Sequence, residues 1–282
     1  MTFFKLINNE KANQFISIIK TLKLFNDYIS FFFNSDKLYI QGMDNSHICL
    51  YEVNIDKDWF DEYNYSSNES QIIVSCMSNI INKILNLYKT NETLVIGFND
   101  DNMDNIFINM IINNDNNLTN NKEFEINCID IDFESLSPDE IDYDIDLYFT
   151  SKEFSNYCNE LMNFGEELQI FCYNNLIKLK SNNNESSMVQ NIDMNLILKY
   201  DAIDDFKIYN KFQINYINYI CNLQKAFSQI KISVQYGLPI NIFFNTDDDL
   251  LNVRFFLAPK VEDDCDDNNY SDDIEEIFNS MK

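Results

Sequence analysis

Short runs of alternating apolar and polar residues recur from one end of this sequence to the other, and only four stretches change to the period of a helix. Alternation at period two marks strands with one buried face, so the chain is committed to sheets covered on one side by a few amphipathic helices. In the first part, Lys5–Ile7, Tyr28–Phe33, Leu38–Gln41, His47–Ile55, Gln71–Cys76, Leu94–Phe98 and Ile106–Ile112 read as strands. A helix runs from an Asn8 cap to about Leu24, with Ala12, Phe15, Ile16, Ile19 and Leu22 on its apolar face. A second spans Met77 to Lys89 and buries Met77, Ile80, Ile81, Ile84 and Tyr88. The second part repeats the order. Asp144–Phe149, Leu168–Tyr173, Leu176–Lys180, Met188–Leu198, Phe206–Phe212, Ile230–Tyr236, Ile240–Phe244 and Leu250–Leu257 are strands. Helices run from Ser151 to Asn163, burying Phe154, Tyr157, Cys158 and Leu161 with Ser155 outward, and from Ile214 to about Phe227.

Between the two parts lies FEINCIDIDFESLSPDEIDY, Phe124 to Tyr143. It begins as a strand, slips phase at Cys128–Ile129, continues through Ile131 and Phe133, and stops at Pro138, which offers no ladder donor. Ten acids and no Lys or Arg occupy Glu123 to Asp146. This is a connector between two equivalent halves. The expected organisation is therefore a domain over 1–123, a connector over 124–143, a second domain over 144–260 and an acidic, disordered tail over 261–282.

The net charge is −26, of which the stretch Glu123 to Asp146 contributes −10 and the tail −8. Phosphate binding needs positive charge, so tight nucleic-acid binding is not expected, and a single arginine, Arg254, argues against a reader of base edges. Four isolated glycines provide no phosphate-cradling loop. One histidine, His47, rules out multi-histidine metal sites and disfavours Ser/His or Cys/His catalysis. We therefore expect no enzyme, no metal and no cofactor. Seven scattered cysteines, never CxxC, read as reduced thiols of a cytosolic or nuclear protein. No apolar run approaches the ~18 residues that span a bilayer, and the N-terminus does not read as a signal peptide. All four helices carry polar faces rich in Asn, with one or two lysines and few acids, which stand out in so acidic a chain.

Two motifs give these features a family. QGMDNSHI, Gln41 to Ile48, and FLAPKVED, Phe256 to Asp263, together resemble the proliferating cell nuclear antigen family of DNA sliding clamps. The connector, with Ile129, Leu136 and Tyr143, fits as well, and the resemblance covers residues 1 to about 263. It implies an α+β clamp fold: two repeated domains per chain, antiparallel sheets outside, helices lining a central hole, and a homotrimeric ring.

It implies a processivity factor that encircles double-stranded DNA regardless of sequence. Such a factor docks DNA polymerase and other proteins through their clamp-binding peptides, is opened by an ATP-dependent clamp loader, and needs neither a cofactor nor a membrane. It would work in the nucleus or in a cytoplasmic viral replication compartment. DNA-facing positions would be Lys11, Asn13, Lys20, Asn79, Asn82, Lys83, Lys152, Asn156, Asn159, Asn215, Asn222 and Lys225. Relatives place more Lys and Arg there, so weaker and less salt-sensitive DNA contact is expected. The partner pocket would comprise Met43, His47, Ile48, Leu50, Leu136, Pro239, Phe256, Leu257, Ala258 and Pro259. The lysine that relatives use for ubiquitin or SUMO attachment is here Asn174. Ile106–Met110 and Met188–Ile192 are the expected subunit edges. In the tail, Ile274 to Phe278 has the spacing of a clamp-binding peptide and is a candidate internal competitor for the pocket. Two other classes fit the charge: a checkpoint-type clamp subunit of a heterotrimer, and an acidic scaffold that does not form a ring.

Overall fold

The computed structural model describes residues 1–112, 121–133, 136, 138, 141–173, 176–203 and 206–260. The first half comprises β1 (Thr2–Leu6), α1 (Asn9–Leu22), β2 (Tyr28–Phe33), β3 (Lys37–Met43), β4 (Cys49–Asp56), β5 (Glu62–Asn64), β6 (Ile72–Met77), α2 (Ser78–Leu85), β7 (Glu92–Asn99), β8 (Asn102–Ile112) and β9 (Lys122–Asn127). The second comprises β10 (Ile145–Thr150), α3 (Ser151–Leu161), β11 (Glu167–Tyr173), β12 (Leu176–Asn182), β13 (Ser187–Ile192), β14 (Lys199–Ala202), β15 (Lys207–Gln213), α4 (Ile214–Ile220), β16 (Gln229–Val234), β17 (Ile240–Asn245) and β18 (Leu251–Leu257). The two series have the same order of strands and helices, element for element.

All pairing is antiparallel and makes three sheets: β5-β1-β7-β8-β9, β13-β12-β11-β15, and a nine-stranded sheet β14-β10-β16-β17-β18-β4-β3-β2-β6. The nine-stranded sheet is composite. Its first five strands are the second half's counterpart of the β5-to-β9 sheet, and its last four are the first half's counterpart of the β13-to-β15 sheet. The seam is β18 on β4, with Leu251 opposite Ile55 through to Leu257 opposite Cys49. The counterparts of those two seam strands, β9 and β13, have no partner on one side among the described residues.

The helices cover one side of the sheets. Asn8 caps α1, its side chain accepting from the N–H groups of Glu10 and Lys11. The α1 stripe Ala12, Phe15, Ile16, Ile19 and Leu22 is buried, and so are Phe154, Cys158 and Leu161 of α3 and Ile214, Ile217 and Ile220 of α4. α1 packs beside α2, α3 beside α4, and α1 also meets the 3₁₀ turn Cys221–Lys225 that follows α4. Gln14 Nε2 donates to the Ala226 carbonyl at 2.7 Å, so the four helices form one layer across both halves.

Several local expectations are corrected. α2 stops at Leu85, and Met77 and Ile80 are exposed (38% and 42%) because Ile81, Ile84 and Leu85 already fill its apolar stripe. The Ser155 hydroxyl is buried and accepts from Gln224 Nε2 at 2.9 Å. Met188–Leu198 is not one strand: Asp193 caps a 3₁₀ turn at Met194–Leu196 that separates β13 from β14. β9 ends at Asn127, and Ile129 to Phe133 form no strand. Ile106–Met110 belongs to β8, which is paired on both sides; the edge strands of that sheet are β5 and β9. Asn174 and the tail motif lie outside the described residues.

Candidate nucleic-acid interface and partner cleft

The exposed side of the helical layer carries Asn13 and Lys20 from α1, Asn79 and Lys83 from α2, Lys152, Asn156 and Asn159 from α3, and Asn215, Asn222 and Lys225 from α4 and its following turn. The face of each helix opposite its core stripe carries these side chains, as a 3.6-residue period requires. Lys20, Lys83, Lys152 and Lys225 make no ion pair with a described residue, so their charge is available to an anion. Two expected positions differ. Lys11 is half-buried: its ammonium donates to the Trp59 carbonyl, lies 3.8 Å from Asp61 and sits 5.7 Å from the Trp59 ring. Its charge therefore pins the 3₁₀ turn Lys57–Trp59 rather than facing outward. Asn82 is half-buried, and its Oδ1 has no hydrogen-bond partner among the described residues. Lys23, at the C-cap of α1, is exposed close to Lys20 and extends the cationic set. Its spacing of three from Lys20 was the available signal.

The opposite side of the nine-stranded sheet is crossed by the connector. Strand register fixes which residues share that face. Met43, Leu50, Phe256 and Asn241 stand in one row, and Gln41, Glu52, Arg254 and Phe243 in the next. Leu257 points the other way. It lies opposite Cys49 and Ile240 in the core, fully buried, so it is a wall behind the site and not part of its surface.

The Gln41 side chain holds Leu136 over this face. The Gln41 amide donates to the Leu136 carbonyl at 2.5 Å and accepts from the Leu136 N–H at 3.0 Å. Gln41 is 2% exposed, and these two bonds satisfy both ends of its amide. Tyr143, further along, donates its hydroxyl to the Pro239 carbonyl at 3.0 Å; burial pushes that phenol up to about 12.

Leu136 borders two clefts. One, of about 600 Å³, is lined by Met43, His47, Tyr28, Phe133 and Leu136; the other, of about 800 Å³, by Phe256, Tyr39, Ile141, Tyr143, Arg254 and Leu136. Of the pocket residues expected from sequence, Met43 and His47 thus lie on one side of the connector and Phe256 on the other. Leu50 is on the floor row between them. Ile48, Pro239, Ala258 and Pro259 are half-buried and line neither cleft; the Ala258 N–H bonds the Ile48 carbonyl at 2.9 Å. Gln41, Tyr39 and Arg254 escaped the sequence reading, although they share the strand phase of Met43 and Phe256.

The loop that presents Met43 and His47 is organised by Asp44. Its Oδ1 accepts from the N–H groups of Ile48 (2.7 Å) and Cys49 (2.6 Å), and its Oδ2 from the Ser46 N–H (3.0 Å) and the Tyr216 hydroxyl (2.7 Å). Burial alone would raise this carboxyl, but those bonds outweigh it and hold it below its ordinary value. Burial and the Asp44 carboxylate push the Tyr216 phenol up to about 12. His47 takes a left-handed backbone, φ 58°, which closes the turn and leaves its ring exposed. Tyr216 is on α4, so one hydrogen bond joins the cleft loop of the first half to the helical layer of the second.

Comparison with known proteins follows this geometry. Residues 7–135 match the sequence family described as proliferating cell nuclear antigen, N-terminal domain. Over 261 residues the chain is 24% identical to a protein of Paramecium bursaria Chlorella virus 1 named probable DNA polymerase sliding clamp 2, covering 90% of this chain and 91% of that protein. Three crystal structures share its fold: the PCNA2–PCNA3 complex of Sulfolobus tokodaii (19% identity, TM-score 0.80, 92% of this chain and 100% of that one), the proliferating cellular nuclear antigen of Entamoeba histolytica (21%, 0.80, 92% and 99%), and the PCNA of Thermococcus kodakaraensis (16%, 0.81, 92% and 100%).

Proposed function

We propose that the chain is a DNA polymerase sliding clamp of the proliferating cell nuclear antigen family, a ring that encircles duplex DNA and tethers replication proteins to it; the match of residues 7–135 to that family's N-terminal domain and the likeness to a viral protein named as a sliding clamp support the reading. One observation carries the assembly. Within the chain, β18 pairs with β4; the equivalent strands β9 and β13 are edge strands. Pairing β9 of one copy with β13 of the next would recreate the same nine-stranded sheet at every junction, and a repeated head-to-tail contact of this kind makes a closed ring when its rotation closes. Three copies, six like halves, is the ring the family implies, with 1–123 and 144–260 as its repeating domains and 124–143 as the connector between them.

In that ring the helical layer faces the hole. Lys20, Lys83, Lys152 and Lys225 offer a few phosphate contacts among neutral amides, so the link to DNA is topological and the ring slides. The acids outside discourage phosphates from binding the rim. The floor row Met43, Leu50 and Phe256, with Leu136 above it, supplies the apolar part of a peptide site, and the polymerase docks there. No side chain is required to make or break a covalent bond. An ATP-dependent loader opens the ring, and the protein works wherever its DNA is replicated.

Encirclement has a direct test. Protein loaded on a nicked circular plasmid should stay with it through gel filtration and be lost once the plasmid is linearised. Equal retention on both forms would contradict encirclement.

A further inference from the structure

The sheet β13-β12-β11-β15 has a core side and an outer side. Leu168, Ile170, Cys172, Ile177, Leu179, Ile208 and Phe212 face the core. The alternate residues form an outer face of unusual composition for this chain. Lys178 stands opposite Phe171, which stands opposite Tyr209; Lys180 stands opposite Gln169, and that opposite Lys211; Lys207 stands opposite Tyr173. Phe171 stacks on Tyr209 with centroids 4.6 Å apart and planes at 21°. Lys211 lies over the Tyr209 ring at 5.6 Å and Lys207 over Tyr173 at 5.7 Å. The one acid of this face among the described residues, Glu167, is paired with Lys260 at 2.7 Å. A chain of net charge −26 has thus gathered four lysines around the half-buried rings of Tyr173 and Tyr209 on one sheet, with Phe171 itself buried (2% exposed).

The same face is where the acidic tail begins. The Lys260 N–H donates to the Lys211 carbonyl at 2.8 Å, which fastens the last described residue along β15, the edge of this sheet opposite β13. The next 22 residues carry nine acids and one lysine, with Ile274, Ile277 and Phe278 near their end.

We propose that the acidic tail, 261–282, docks across the outer face of this sheet, its carboxylates against Lys178, Lys180, Lys207 and Lys211 and its apolar residues against the Tyr173 and Tyr209 rings. The reach is ample. Three strand spacings of ~4.8 Å separate β15 from β13, a distance that about five extended residues cover. Tethering at β15 also gives the tail an effective concentration in the millimolar range (on the order of 10⁻³ M), which a free acidic partner or a nucleic acid must exceed. Lysines interleaved with stacked aromatics are also a good surface for single-stranded DNA. Resting on the clamp reading, the docked tail would keep the outer wall from holding the DNA that should pass through the hole. It also assigns the tail to this sheet instead of the partner cleft.

The test uses the full chain. Carbodiimide joins carboxylates to amines that touch, so at low salt the acids between Asp266 and Glu276 should cross-link to Lys178, Lys180, Lys207 or Lys211. Links confined to Lys20, Lys83 or Lys152, or none from the tail, would overturn the proposal. In a second measurement, a labelled 20-nucleotide single strand is titrated against the full chain and against a variant with Asp272→Asn, Asp273→Asn, Glu275→Gln and Glu276→Gln. The neutralised tail should raise affinity at least tenfold at low salt, and adding Lys178→Glu and Lys180→Glu should abolish the gain. Equal affinity for the two chains, or a gain that survives the lysine changes, would sink it. Neither readout depends on a loaded ring, so its failure is distinct from failure of the clamp reading.

Discussion

Replacing Asp44 with asparagine isolates the interaction that organises the cleft loop and ties it to α4. The carboxylate accepts four hydrogen bonds, two on each oxygen. An amide keeps one oxygen. Placed toward Ile48 and Cys49, it preserves two bonds, turns the Tyr216 bond into a neutral one, and sets an NH₂ against the Ser46 N–H. Hydrogen bonds to a charged group contribute about 1.5–3 kcal/mol each, and a neutral one about 1. One charged bond lost and the other three weakened by at least about 0.5 kcal/mol each give a loss of at least about 3 kcal/mol at pH 7. Urea unfolding at fixed protein concentration would register this as a midpoint lower by at least about 1 M, for a slope near 2–3 kcal/mol/M. The pH dependence carries the sign. The folded-state pKa of Asp44 lies below the ordinary 3.8, so its stabilisation is complete above that value and is lost as pH falls through the folded pKa. The gap between wild type and Asp44→Asn should therefore narrow on acidification below about pH 4, while other carboxylates cancel in the difference. A gap under about 0.5 kcal/mol at pH 7 would refute the assignment of Asp44 as the hub. So would a gap of the same size at pH 3 and pH 7.

Three further outcomes are expected. Tyr216→Phe should cost about 1.5–2 kcal/mol of stability in the same assay and leave the solution mass unchanged, because only one charged bond is removed. Gln41→Leu should speed amide hydrogen exchange at Leu136 and raise the dissociation rate of a clamp-binding peptide several-fold, with Gln41→Glu no better, since its carboxylate would face the Leu136 carbonyl. Unchanged exchange at Leu136 would show that the connector is held by something else. Leu136→Ala, at a side chain 36% exposed, should lower peptide affinity with little change in assembly or unfolding midpoint; loss of the assembly would make the connector a structural joint.

How far the sequence could be read depended on the range of the interaction. The Asn8 cap and the α1 stripe are local, and both were legible from spacing within one helix. The repeat of element order was legible for the same reason. The edge position of β9 was not, because an edge is defined by partners that lie far off in sequence, and the apolar run Ile106–Met110 looks the same whether one neighbour or two lie beside it. Leu257 shows a different failure. It stands inside a motif that points to the partner site, yet strand alternation turns it to the core while Phe256 faces the cleft. Gln41 and Leu136 are 95 positions apart, and no periodicity relates a buried amide to a distant backbone unit. Ile80 was misplaced because a helix of eight residues has room for one narrow apolar stripe.

The ring remains the claim on which the rest depends, and the mass of the native protein tests it most directly. Light scattering at tens of micromolar should give about 100 kDa, three times the 33.4 kDa chain. A particle that stays at 33.4 kDa as concentration is raised would contradict the pairing of β9 with β13 and the encirclement built on it.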